Sequence, residues 1–466
     1  MKPRLFLVGI LVGFIPEILN LNDGLDYNAG IVLQLMITMI FFWVTEAIPL
    51  SITALIPIII APLLKDINLV DVFSPYSSPV VFLLLGGFLL ANGFERSNLH
   101  QRFAVKSIIM FGKNKNSLLM CFIFITAFIS MWLSNTATCL LMLPIVKFIV
   151  ENNFKGDENQ KFSKMLILCV AYASSIGGMM TPIGTIPNAV MIGFLAENFN
   201  LEISFIEWVI FISPLSIALL FMLWLYLSFG ISHKTERINQ KKLKLKYESL
   251  GKFSNKEKVS LSILILAALL WIFKIKINNF LGINLNDSGI ALFSAILFFI
   301  LPVNKKMDVI LGFDWFKNIP WNVLILFGGG LSMASLVMET GLANELSKNI
   351  VFLNQLSLLL IIFILTFLTS LFTEFTSNTA TTFLLLPLLG TFAINSDINV
   401  VTVILPVVLA ASCAFMMPIS TPPNAIVFST NQINISFMIK TGLVMNIISI
   451  LIISFYVYFF GLSFFN

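Results

Sequence analysis

The feature that most constrains this chain is its alternation of long apolar runs with short segments that hold nearly all of its charge. Several runs reach the roughly 20 residues that a helix needs to span a bilayer. Hydrocarbon offers backbone N–H and C=O groups no water, so a crossing run must satisfy them internally. With 58% hydrophobic and only 11% charged residues, the expected class is an all-α polytopic membrane protein. The net charge of +5 comes from Lys and Arg gathered in a few loops, as the positive-inside bias predicts, and not from a basic, aromatic-interleaved face for nucleic acid.

At the N-terminus Lys2 and Arg4 precede an apolar stretch from Leu5 to Leu19. It is shaped like a signal peptide, but Pro16, Glu17 and Asn20 leave no small-residue cleavage pattern, so it reads as the first membrane helix. Cys121, Cys139, Cys169 and Cys413 all lie in apolar stretches, with no CxxC pair and no nearby His. They read as packing residues and not as a disulfide framework or a zinc site.

In chain order, apolar spans fall near 5–20, 31–48, 50–64 and 79–94. The segment 95–117 then carries Arg96, Arg102, Lys106, Lys113 and Lys115 against Glu95 alone, which places it in the cytoplasm with the N-terminus. The next block, Leu118 to Val150, is too long for one crossing: its 33 residues would extend about 50 Å, against a hydrocarbon core of about 30 Å. In its middle lies Ser134-Asn135-Thr136-Ala137-Thr138, which divides it into two arms too short to cross. Basic residues flank both ends, Lys113 and Lys115 before and Lys155, Lys161 and Lys164 after, so a re-entrant hairpin is expected.

The span 165–195 is uncharged but interrupted by Gly177-Gly178 and Thr181-Pro182-Ile183-Gly184-Thr185-Ile186-Pro187-Asn188. A helix broken there exposes backbone groups, which are tolerated only in protein or beside a polar cavity. A span at 208–230 follows, and then 231–258, with nine Lys/Arg against three Glu, a solvated cytoplasmic connector. His100 and His233 both fall in basic cytoplasmic segments, where a solvated surface role is expected.

The second half repeats the first. Spans at 259–273, 288–302 and 320–337 lead to a second interrupted block, 356–394, around Ser377-Asn378-Thr379-Ala380-Thr381. A second broken span at 400–430 carries Pro418-Ile419-Ser420-Thr421-Pro422-Pro423-Asn424, and a last span covers 437–460. The domain organisation expected is a first repeat over 1–230, the connector 231–258 and a second repeat over 259–466. That makes about 11 transmembrane helices plus two re-entrant hairpins. Nine crossings put the base of the second hairpin outside, so the repeats are inverted, as in many secondary transporters.

Across 126–146, 165–196, 366–392 and 400–430 there is no Lys, Arg or His. An anion held there would rely on hydroxyls, amides and helix N-termini. The same oxygens suit a hard cation, and a cation beside each tip would supply the missing positive charge. An anion coupled to cations is therefore expected. No His, metal-binding or Ser-Lys constellation lies in the spans, which argues against an intramembrane enzyme; a passive channel is the third class. Gly86-Gly87 and Gly328-Gly329-Gly330 are neither a P-loop nor a dinucleotide fingerprint and read as close helix packing. For the intramembrane acids Glu46 and Glu374, functional and structural readings weigh equally, and Glu374 is placed to orient the second tip.

The segment Ala411-Ser412-Cys413-Ala414-Phe415-Met416-Met417-Pro418-Ile419-Ser420-Thr421-Pro422-Pro423-Asn424-Ala425-Ile426-Val427, the paired Ser-Asn-Thr clusters and Thr45-Glu46-Ala47-Ile48-Pro49 together resemble the divalent anion/sodium symporter (DASS, INDY-type) family, over nearly the whole chain. The resemblance implies a homodimer in the inner (cytoplasmic) membrane, each protomer with scaffold and transport domains and an elevator movement. The N-terminus and 231–258 would be cytoplasmic and the C-terminus outside. It implies that Ser134, Asn135, Thr136, Thr185, Ser377, Asn378, Thr379, Thr421 and Pro422 contact a succinate-like di- or tricarboxylate. One Na⁺ would lie near Ser130, Ser134, Asn135 and Gly184, and a second near Thr373, Thr376, Asn378 and Ser420. The alternatives are Na⁺-independent dicarboxylate exchange and a carrier for sulfate or another inorganic oxyanion.

Overall fold

The structure, a computed structural model, describes residues 3–22, 24–154, 159–229, 240–348, 350–461 and 464. His233, Lys155 and the stretch 231–239 of the connector lie outside the described residues. Helices joined by turns make up the described chain, and no strand occurs among the described residues.

In the first half the principal helices are α1 (Pro3–Gly13), α2 (Tyr27–Thr45), α3 (Pro79–Arg96), α4 (Leu99–Phe111), α5 (Lys115–Ser130), α6 (Asn135–Asn153), α7 (Gln160–Gly178), α8 (Ile186–Phe199) and α9 (Phe205–Ser228). After α10 (Lys241–Ser249) come α11 (Asn255–Leu281), α12 (Asp287–Ile300), α13 (Trp321–Glu339), α14 (Leu358–Thr373), α15 (Asn378–Asn395), α16 (Val400–Ala411), α17 (Pro422–Phe428) and α18 (Ile435–Tyr456). Polar residues at the helix starts account for many of these boundaries. Asn114, Ser204 and Ser254 close capping boxes with Ser117, Glu207 and Glu257, and Asn286, Asn399 and Asn434 accept from the first free N–H groups of α12, α16 and α18, as N-caps do.

Six described stretches are long and apolar enough to cross a membrane: Tyr27–Thr45, Leu69–Arg96, Phe205–Ser228, Asn255–Leu281, Trp321–Glu339 and Ile435–Gly461. The rest of the apolar helices are shorter, including α5, α14 and α16. Two expected spans are interrupted. The first ends at Gly13 and restarts as Ile15–Ile18 with Pro16 at its N-terminus. Residues 50–64 form not one helix but the pieces Leu50–Thr53, Ile56–Ile60 and Ala61–Leu63, because Pro57 and Pro62 each lack the N–H that would continue a ladder. Glu46, for which functional and structural readings weigh equally in the sequence, is exposed and ends α2 in the left-handed conformation, with φ 48°.

Tight packing holds the halves together. α3 lies against α12 so closely that a Cβ on Gly86 would meet the Ala291 backbone at 2.9 Å and one on Gly93 the Phe298 ring at 2.7 Å. Small residues permit this approach where lipid supplies no hydrophobic drive between helices. α7 packs on α5 and α6, and α16 packs on α14 and α15. The short helices then cross over: α17 of the second half packs on α6 and α7, and α8 of the first half packs on α15 and α16. The second helix of each pair, α6 or α15, is thus covered by the far end of the other half's broken helix.

The described part of the connector is fastened to the first half instead of lying free. Arg102 of α4 pairs with Glu257 of α11, its Nη2 3.2 Å from Oε2, and also donates to the carbonyls of Gly251 (3.1 Å), Leu250 (3.1 Å) and Lys252 (3.3 Å). The Glu257 hydrogen bond raises the guanidinium's pKa above its ordinary value. Both side chains are under a tenth exposed, so losing either partner costs roughly 3–5 kcal/mol by leaving a buried charge unpaired. Gln240 Nε2 adds a bond to Gly112 O at 3.1 Å, and Lys242 one to Asn152 at 2.6 Å. His100, expected at the solvated surface, is 2% exposed and sits against the Phe94 ring. Burial pushes its imidazole down to about 4, since a desolvated cation is disfavoured.

Candidate functional site

Both interrupted blocks break at the polar cluster, and the same set of contacts is built twice. At the first tip α5 ends at Ser130, and Ser134 caps α6 by accepting from Ala137 N at 3.3 Å. Ser130, fully buried, donates from Oγ to the Ser174 carbonyl (2.7 Å), and its Oγ stands 3.0 Å from Asn135 Oδ1. At the second tip Thr373, also fully buried, lies 2.7 Å from Asn378 Oδ1 and donates to the Ala411 carbonyl at 2.9 Å. In each case one hydroxyl on the first arm, with a single proton, stands between the tip asparagine's oxygen and a carbonyl of the helix that breaks beside it.

The breaks are organised by a second asparagine. Asn188 Nδ2 gathers the carbonyls of Gly178 (3.2 Å), Met179 (3.1 Å) and Thr181 (2.8 Å). Asn424 Nδ2 gathers Ala414 O (3.0 Å), Met417 O (3.1 Å) and Ser420 Oγ (3.0 Å). Both are wholly buried. They stand in the recurring Pro-Asn of the two broken spans, outside the site residues that the sequence suggests, and that recurrence is their signal. The loop of the first break also ties to its tip through Thr181 Oγ1, which donates to Met131 O at 2.7 Å, while Trp208 Nε1 donates to Met179 O at 3.0 Å.

Of the first expected ion-binding set, Ser130, Asn135 and Gly184 converge. A Cβ on Gly184 would fall 3.0 Å from Ser130 O and 2.5 Å from Gly178 O, and one on Gly178 would run into Asn135 Oδ1. Ser134 is exposed and engaged in capping α6. In the second set Thr373 and Asn378 meet directly. Thr376 instead shares a hydrogen bond of 2.7 Å with Thr381 and donates to Phe372 O, and Ser420 Oγ donates to Met417 O at 2.7 Å. Among the described residues no group of three or more His, Cys, Asp or Glu converges. The donors at both tips are hydroxyl, amide and carbonyl oxygens, a hard-cation set.

The residues expected on the substrate lie at helix starts. Asn135 and Thr136 open α6, and Asn378 and Thr379 open α15, with Ser377 at its cap. Thr185 caps α8, and Thr421 caps α17 by accepting from Asn424 N at 3.2 Å. Thr136, Thr185 and Ser377 are half-buried and make no side-chain hydrogen bond among the described residues, and Pro422 is exposed. The broken helices meet at their breaks: Cys413 Sγ is 3.9 Å from Met179 Sδ, and Tyr172 of α7 donates to Phe415 O at 2.6 Å. Cys139, one turn beyond Asn135, lies 3.7 Å from Pro423 O, so the start of α17 stands beside the first tip's helix.

Glu374 does not orient the second tip through Asn378. Its carboxylate accepts from Phe415 N (2.7 Å), Met416 N (2.9 Å), Met417 N (2.9 Å) and Asn446 Nδ2 (2.7 Å). The break of α16 leaves these N–H groups outside the helical ladder, whereas at the first break Met179 N and Met180 N still bond to Ile176 O and Gly177 O.

Crossing-length apolar helices, short paired helices and two oxygen-lined breaks define a multi-pass membrane transporter. Solved structures of similar fold include the Alcanivorax borkumensis YdaH transporter (TM-score 0.58, 12% identity, 84% of this chain and 87% of that one) and Neisseria gonorrhoeae MtrF (TM-score 0.54, 10% identity, 89% and 94%). Residues 3–465 match the family described as the sodium:sulfate symporter transmembrane region, and the chain belongs to that family, the divalent anion/sodium symporters. Among its relatives are the sodium-dependent dicarboxylate transporters SdcS of Staphylococcus saprophyticus and of Staphylococcus aureus strain USA300. Each is 38% identical over 97% of this chain and 91% of its own.

Proposed function

We propose that this protein is a secondary active carrier that moves a succinate-like dicarboxylate across the cytoplasmic membrane together with Na⁺. The observation that carries the reading is the twofold construction of the tips. Each offers a buried hydroxyl, an asparagine oxygen and break-loop carbonyls to a cation, and a helix N-terminus with open polar groups to an anion. Partial positive charge at a helix start favours a carboxylate, and a cation held beside each start adds to that field. Two such places in one protein match the two charges of a dicarboxylate. The names of the 38% identical relatives support both Na⁺ and dicarboxylate.

In this reading the residues on the substrate are Ser134, Asn135, Thr136, Thr185, Ser377, Asn378, Thr379, Thr421 and Pro422. The Na⁺ sites are Ser130, Ser134, Asn135 and Gly184, and Thr373, Thr376, Asn378 and Ser420, several of them through the backbone. The hairpins α5–α6 and α14–α15 enter from opposite sides as parts of inverted repeats over 1–230 and 259–466. The N-terminus and connector lie in the cytoplasm and the C-terminus outside. The transport unit moves as an elevator against a scaffold within a homodimer, an assignment supported by the family resemblance. The family description names sulfate, so the anion needs its own test. In proteoliposomes, excess unlabelled succinate is expected to suppress uptake of labelled succinate at least about tenfold more effectively than equal sulfate; equal or stronger suppression by sulfate would move the assignment to an oxyanion carrier.

A further inference from the structure

The halves differ in one buried charge. Glu374 is wholly buried, three residues before Ser377, and its counterpart before Ser134 is Met131. All four of its hydrogen-bond partners are N–H donors, which is the pattern of an acceptor-only carboxylate. Among the described residues it joins no ion pair. A buried carboxylate met only by amides is a costly group to keep for packing alone.

Its geometry bears directly on the second tip. In a trans peptide the N–H and the preceding C=O point in opposite directions. By gathering the N–H groups of 415, 416 and 417 on one side of the loop, Glu374 turns the carbonyls of 414, 415 and 416 to the other. Ala414 O there meets Asn424 Nδ2 at 3.0 Å and Ser420 Oγ at 3.5 Å, and Phe415 O meets Tyr172 Oη at 2.6 Å. Asn446 braces the same point from α18, accepting from Phe415 N at 3.3 Å while donating to Glu374. Gly442, one turn earlier, lets α18 approach the Phe415 and Met416 backbone, where a Cβ would clash. The acid also follows directly after Thr373, whose hydroxyl donates to Ala411 O and stands 2.7 Å from Asn378 Oδ1. One residue thus links the far end of the first arm to the loop that carries Ser420.

We infer that Glu374 is a positioning residue for cation binding at the second tip: through the amides of Phe415, Met416 and Met417 it fixes the loop that presents Ser420 and the loop carbonyls, and its charge biases that tip alone toward a cation. The two cation places are therefore unequal, and the second is the tighter. This rests on the Na⁺-coupled reading above.

The test compares wild type with Glu374→Gln, Glu374→Asp and Asn446→Ala in proteoliposomes, measuring the half-saturating Na⁺ concentration and the KM for succinate at saturating Na⁺. In Glu374→Gln the amide nitrogen turns a donor toward a donor at Met417 and removes the charge. Half-saturating Na⁺ is expected to rise at least about tenfold, the scale of a lost bond to an ionised group, while KM at saturating Na⁺ stays within about threefold. Glu374→Asp keeps the charge but shortens the reach and recovers part of the Na⁺ affinity, which a purely structural role would not require. Asn446→Ala removes one brace and shifts half-saturating Na⁺ the same way by about threefold; if Glu374→Gln does not fold, this variant decides. Na⁺ affinity unchanged in a folded Glu374→Gln, or a change confined to succinate KM, overturns the inference alone. Wild-type uptake that proceeds equally in K⁺ fails the Na⁺-coupled reading itself and the inference with it.

Discussion

Asn135→Ala and Asn378→Ala are each expected to lower the initial rate of succinate uptake in proteoliposomes at least about 100-fold while leaving a folded protein. Each asparagine is half-buried at the first position of its helix, where alanine is a good helix former. The hydroxyl that meets its Oδ1 keeps another acceptor, Ser174 O for Ser130 and Ala411 O for Thr373. The fold therefore loses little, within about 1 kcal/mol, because no buried donor is orphaned. In the proposed reading the site loses an amide oxygen for the cation and an amide donor for the anion, and the loss of polar contacts to charged species at about 1.5–3 kcal/mol each accounts for the rate. Uptake within threefold of wild type in either variant, with thermal stability unchanged, would contradict the placement of that tip.

Gly178→Ala is expected to reproduce the Asn135→Ala phenotype without touching the tip's chemistry. Gly178 closes α7, and its backbone asks nothing of glycine, since its φ is not positive. What it supplies is space: an added Cβ would overlap Asn135 Oδ1 and lie 3.0 Å from Cγ. The wall cannot yield easily, because Gly177 beside it packs so close to α5 that a Cβ there would fall 2.8 Å from Ala127 C, and overpacking of a filled interior costs about 1–3 kcal/mol. The amide must swing away, so uptake falls by about the same factor as in Asn135→Ala, with a modest drop in melting temperature. A Gly178→Ala protein that transports normally would show that the Asn135 oxygen is not needed where the structure places it.

Much of this arrangement is legible in the sequence because its causes are local. Ser134 and Ser377 mark the starts of α6 and α15, and the Gly, Thr and Pro runs at 177–187 and 418–423 mark the breaks before α8 and α17, since capping groups and missing N–H groups act within a turn of where they stand. What escaped the sequence depends on partners far along the chain. Glu374 reads as an acid four residues from Asn378, yet it is used by amides at 415–417 and by Asn446. Asn188 and Asn424 read as parts of a motif, and only the fold reveals that each closes a loop of carbonyls. His100 and Arg102 look like surface residues of a basic segment because burial is set by what packs above them, here the Leu250–Lys252 turn over Arg102.

In the proposed reading the two oxygen-lined tips bind a cation and a carboxylate together, so that neither binds well alone. The most direct measurement is uptake of labelled succinate by proteoliposomes under an inward Na⁺ gradient, compared with an equal K⁺ gradient and with vesicles preloaded with unlabelled succinate. Saturable uptake at least about tenfold faster in Na⁺ than in K⁺ is expected, with no requirement for internal succinate, a coupling within the usual 1–3 kcal/mol range between linked sites. Uptake that is the same in K⁺ and appears only in preloaded vesicles would contradict this reading and make the protein an exchanger.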